Sequence, residues 1–206
     1  MPDPIVPTVT KTVTAYEVTV GDFFVDFMNA DETGYEGALK RCPEIKTLNV
    51  QPDSSNKKIY ASGKVRDVLA NVRGATLALD VVALPAAFVD KARGVVSAGQ
   101  ATSYEVAIPK LPPFGCGFTT EDADGKEVYY WCPYCKMTIT DEEHNTSDDQ
   151  DADPTVSYEI EAMPTDEKIW RVKYRTADAG QNPLTAEAFF KKEPRTIAEV
   201  NAIEGA

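Results

Sequence analysis

Two cysteines held two residues apart, in Cys132-Pro133-Tyr134-Cys135, are the densest chemistry in this sequence. Such a pair can run thiol–disulfide exchange, with Cys132 attacking as a thiolate and Cys135 resolving the mixed disulfide. The first thiol then belongs at a helix N-terminus, where its pKa is lowered. Here Lys136-Met137-Thr138-Ile139-Thr140 follows, a β-type run, and after it come acids that raise a thiol's pKa. No βαβ pattern surrounds the pair, so a strand or bulge is the better reading. The same cysteines could supply half of a zinc site, with Cys42 and Cys116 completing four thiolates. A structural zinc site presents two tight pairs, however, and Cys42 and Cys116 are isolated. Free cysteines, buried or half-buried, are the expectation.

Other chemistries fail on similar grounds. Asp149, Asp151 and Asp153 have the spacing of the first ligands of a calcium loop. Pro154 stands where that loop needs glycine, and Ile160 where it needs a bidentate glutamate. His144, the only histidine, lies within a run of acids with nothing to orient it as a catalytic base. No glycine-rich phosphate loop occurs. The sequence therefore predicts no catalytic residue, no cofactor and no metal.

The elements that would position any site read as mostly β. Thr76 to Leu84 places Leu77, Leu79, Val81 and Ala83 on one face at period two. Pro85 then opens a short helix over Ala86 to Arg93, burying Phe88 and Ala92, and Gly94 stops it. Val9 to Val20 and Phe23 to Phe27 read as strands, Asp31 to Gly37 as a turn, and Gln51 to Lys58 as a polar loop. Ser103 to Pro109 alternates Tyr104, Val106 and Ile108. Asp124-Gly125 marks a hairpin between Gly117–Thr120 and Glu127–Trp131. Tyr158–Ala162 and Trp170–Arg175 alternate with complementary outer charges and read as a pair. Asn182-Pro183 could cap a helix through Phe190. Thr146 to Asp153 is an acidic, self-repelling loop.

The chain's 206 residues suit one domain with appendages, read as an arm over 1–20, a β domain over 21–194 and a tail over 195–206. Its 43% hydrophobic content is enough for a core. With 21 basic residues against 33 acidic ones, and a net charge of −12, sequence-specific nucleic-acid binding is excluded as a main role. No apolar run reaches membrane-spanning length, and the N-terminus has no signal-peptide pattern. The expectation is a protein made in the cytoplasm and kept there until lysis.

The order of segments resembles the major tail protein of long, non-contractile-tailed phages, in the family found in phages of Gram-positive bacteria. It is carried by Phe23-Phe24-Val25, Gly37 to Ile45, Asn56-Lys57-Lys58-Ile59-Tyr60-Ala61, Thr76 to Asp80 with Leu84-Pro85 and Gly94, Gly125 to Tyr134, and Ala186-Glu187-Ala188-Phe189-Phe190. The longer arm before Gly21 and the Cys132/Cys135 pair depart from the family pattern. The resemblance implies a mainly β tail-tube sandwich or barrel, two packed antiparallel sheets with a flanking short α-helix. It implies a virion protein that forms stacked rings of six around passing DNA, with tape-measure and tail-terminator proteins as further partners and no membrane. A polar loop that orders on contact would stack the rings, and Gln51, Asp53, Asn56, Lys57, Lys58 and Tyr60 are its candidates. Two rivals remain: a thiol-disulfide oxidoreductase using Cys132 and Cys135, and a monomeric β-sandwich binding module.

Overall fold

A computed structural model describes residues 17–43, 45–61, 64–99, 101–139, 155–180 and 182–204. The expected arm, the acidic loop with His144 and the three aspartates, and most of the Val9–Val20 strand lie outside the described residues. The rest is mainly β, as expected, and consistent with a sandwich. Its strands are β1 (Glu17–Phe27), β2 (Lys40–Cys42), β3 (Ile45–Ala61), β4 (Lys64–Val81), β5 (Val96–Ser97), β6 (Ser103–Tyr104), β7 (Phe114–Asp122), β8 (Glu127–Met137), β9 (Val156–Ala162) and β10 (Val172–Arg175). Three α-helices are described, α1 (Ala86–Ala92), α2 (Ala186–Phe190) and α3 (Ile197–Glu204), with a 3-10 turn over Thr176–Asp178. The main sheet runs β2-β1-β7-β8-β9-β4-β3 with every pairing antiparallel, and β5–β6 form a separate small sheet.

Alternation along the central strands sends side chains to two cores. Phe23, Val25, Cys116, Phe118, Tyr130, Cys132, Leu77 and Leu79 share the inner core with Phe88 of α1. Phe24, Tyr129, Trp131, Val172, Phe189, Phe190 and Ile203 form a second cluster on the opposite face, under α2 and α3. Both faces of Phe23–Phe27 in β1 and of most of β7 and β8 are thus dry. Helix α1 is the flanking helix: Pro85 precedes it, Phe88 and Ala92 are buried, and Gly94 takes a φ of 72° beyond its end. The β7–β8 hairpin also forms as the Asp-Gly step predicts. Asp122 Oδ1 accepts the backbone N–H groups of Asp124 and Lys126, at 2.9 and 2.8 Å, and Gly125 takes a φ of 72°.

Several local expectations are corrected. Gln51 to Lys58 is no loop; it is the middle of β3, paired residue by residue with β4. Its polarity reflects a ribbon that buries neither face, so the chain needs no period-two pattern to extend there. Ala83 is exposed because β4 ends at Val81 and Leu84 takes the buried place instead. Tyr104, Val106 and Ile108 are all exposed, Ile108 by 91%, so that alternation faces no core. β9 and β10 do not pair with each other. β10 lies along Val128–Trp131 of β8 and β9 along Cys135–Met137, so the two occupy successive stretches of β8. Helix α2 starts at Ala186, where the Thr185 hydroxyl accepts the Ala188 N–H at 3.3 Å, and not at Asn182.

Gly117 makes the second cluster possible. A Cβ there would collide with the Phe190 ring and lie 2.7 Å from the Tyr130 carbonyl oxygen. Gly117→Ala is expected to destabilise the fold by about 1–3 kcal/mol. Gly99→Ala, where added carbon meets nothing within 4 Å, should stay within about 0.5 kcal/mol. Thermal unfolding of the two variants checks the contrast.

Candidate functional site

The β3–β4 hairpin leaves the body of the protein. β9 covers β4 only from Ala75 onward, whereas β3 and β4 stay paired out to Ala61 and Lys64. At about 3.3 Å per residue, the two-stranded part projects roughly 30 Å. Five of the six predicted stacking residues lie on it and Gln51 sits at its base, where β9 still covers its partner; the partners are Thr76 for Gln51, Gly74 for Asp53, Ala70 for Asn56, Leu69 for Lys57, Val68 for Lys58 and Val65 for Tyr60. All six are exposed.

Two features of this arm are unusual for a free surface. Ile59, Tyr60, Val65, Val68 and Leu69 are large apolar side chains with 39% to 65% of their surface open. Isolated two-stranded ribbons are marginal in water, and clustered exposed apolar groups on one mark a contact surface. The charge is also inverted relative to the rest of the chain. Lys57, Lys58, Lys64, Arg66 and Arg73 stand against Asp53 and Asp67, a net +3 where the whole chain carries −12 and the remainder therefore −15. The sequence reading picked the polar residues but missed Val65, Val68 and Leu69. Their spacing follows no single face, because pairing and not burial sets this part of β4.

The cysteines lie elsewhere and do different work. Cys42, Cys116, Cys132 and Cys135 are free thiols, all buried in the inner core. A spacing of three along a regular strand would put Cys132 and Cys135 on opposite faces. A register shift, with Gly115 of β7 opposite both Pro133 and Tyr134 of β8, brings both inward. Tyr35 pins that bulge by donating its hydroxyl to the Pro133 carbonyl at 2.7 Å. The Cys116 and Cys135 sulfurs then lie 3.5 Å apart. Burial pushes the Cys42 thiol up to about 11 and raises that of Cys135. Hydrogen bonds with Cys116 and Cys135 lower the Cys132 thiol instead, but Cys132 is fully buried and lacks the path to substrate that a nucleophilic thiol needs. Among the described residues no group of three or more His, Cys, Asp or Glu is placed to hold a metal ion.

One sizeable groove runs between β1, the β7–β8 turn and α2, lined by Asp22, Arg41, Glu121, Lys126, Glu187 and Lys191. Its charges already serve each other: Arg41 pairs with Asp22 and Lys191 with Glu187, each at 2.8 Å. No nucleophile and base converge there. The four cysteines should react with an aromatic disulfide reagent only on unfolding. Cys132→Ser should cost about 1–3 kcal/mol by burying a hydroxyl in an apolar core. Insulin-reduction assays should find no turnover with or without that change.

No curated protein sequence matches the chain. Residues 44–192, well over half of it, match the family model described as phage tail tube protein, a structural family and not an enzyme family.

Proposed function

Because the chain belongs to the phage tail tube protein family, we propose that it is the major tail tube subunit of a long, non-contractile tail, closing into rings of six that stack into a hollow tube for DNA. Its place is the virion tail, where tube proteins associate with one another and with other tail proteins. The protruding β3–β4 hairpin carries the finer reading. An arm with exposed apolar side chains and a net +3 charge suits an acidic neighbouring copy, since opposite fields steer association and apolar burial holds it. In this reading Gln51, Asp53, Asn56, Lys57, Lys58 and Tyr60 contact the next ring. A head-to-tail contact of this kind closes into a ring or continues as a tube, according to its rotation. An acidic body also suits a lumen through which DNA slides without sticking. Tape-measure and terminator proteins are the further partners, and a phage of a Gram-positive host is the source that the segment order supports.

Negative-stain microscopy of the concentrated protein tests the proposal, with rings or hollow tubes expected. Replacing residues 52–73 by a short Gly-Ser turn should leave a folded subunit that makes no tubes. Normal tubes from that variant would refute the role of the hairpin. Lys57→Glu with Lys58→Glu should slow assembly at least about tenfold at low salt, by light scattering, with the deficit shrinking as salt screens the charges.

A further inference from the structure

Asp26 is a carboxylate with 3% of its surface exposed, on β1 between β2 and β7, among apolar neighbours. It belongs to the same strand face as Phe24, which is stacked on Phe190 with ring centroids 4.2 Å apart. The group it meets is Glu193, in the turn between α2 and α3, where the backbone takes a φ of 43°. The two carboxyls lie within hydrogen-bonding reach of one another. Asp26 Oδ2 and Glu193 Oε1 are both buried, and neither has a donor among the described residues. Two facing acceptors without a donor are satisfied by one proton held between them, whereas two buried like charges are not tolerated.

We propose that Asp26 and Glu193 share a proton and so form a latch that holds the C-terminal segment, α2 and α3, on the outer face of the sheet, and that alkaline solution opens it. Among the described residues Asp26 is the one charge that acts on Glu193. From the loop after β1, Tyr35 faces the pair, with its hydroxyl committed to the Pro133 carbonyl. From β8, the side chain on this face is the uncharged Trp131 ring. From the segment itself, Arg195 donates through Nη2 to the Glu32 carbonyl at 2.8 Å, and its Nε has no partner. Burial first, and then the Asp26 carboxylate, raise Glu193 from 4.5 to about 8. The sign follows from linkage. A raised carboxyl contributes stability fully below its ordinary value of 4.5, and loses it as pH climbs through about 8. Between those two values each pH unit weakens the latch about tenfold, and above about 8 the loss levels off. The apolar contacts of Phe189, Phe190 and Ile203 remain, so the segment loosens while the inner core stays folded.

Hydrogen exchange of the full chain, as protection factors corrected for intrinsic rate, tests this between about pH 6 and about pH 9.5. Protection over residues 186–204 should fall at least about tenfold across that range, while β4 and β9 stay constant. Glu193→Gln supplies a permanent N–H to Asp26 and should flatten the response. Should that variant fail to fold, Asp26→Asn carries the same test, since its amide donates to an ionised Glu193. Infrared difference spectra of the unaltered protein should show a protonated carboxyl band lost over the same range. Constant protection in the unaltered protein, an unchanged slope in the folded variant, or no such band would overturn the latch.

Discussion

The fold depends on one row of residues that crosses four strands. Phe24 of β1 stands opposite Gly117 of β7, Gly117 opposite Trp131 of β8, and Trp131 opposite Val172 of β10. Three of the four are large, and the absent side chain at Gly117 is where the Phe190 ring fits. The next row inward, Val25, Cys116 and Cys132, faces the other core. Strands dry on both faces tolerate no slip of register, because a shift by one residue would exchange the two sets. That constraint ties the C-terminal helices to the sheet as firmly as it ties the strands together.

Strand β8 carries the consequence. Its early half accepts β10 and its late half accepts β9, with the bulge at Pro133 between them. The bulge reverses which residues point inward, so Trp131 faces the helices and Cys135 faces the inner core. Chain direction changes there too: one branch of the sheet leads to the C-terminal helices, the other through β9 and β4 into the protruding hairpin. The cysteines are therefore packing atoms at a junction. Their small, apolar thiols suit a crowded bulge better than a larger side chain would.

The hairpin obeys the opposite rule. Beyond Ala75 no described strand or helix covers β3 and β4, so among the described residues their mutual pairing holds them, and their apolar side chains are exposed. Such an arm is the part of the molecule least supported from within. A tube subunit has use for that arrangement, since stability deferred to assembly is stability gained only when a neighbour arrives.

Much of the architecture was legible in the residues. The period-two runs at Leu77–Val81 and Tyr158–Ala162, the Pro85 and Gly94 bounds of α1, and the Asp124-Gly125 turn are local signals with local causes, and each appears where the sequence puts it. The ordered series of these signals also pointed to the family that residues 44–192 match. What the sequence could not determine were long-range choices. Complementary charges made β9 and β10 look like partners, yet each found β8, because burial of Val172 beside Trp131 outweighs exposed charge pairs. Gln51 to Lys58 looked like a loop because strands are recognised by a buried face, and this one has none. Asp26 and Glu193 are far apart in the chain and unremarkable as letters. Only the folding of α2 and α3 onto β1 brings the two acids together, away from water.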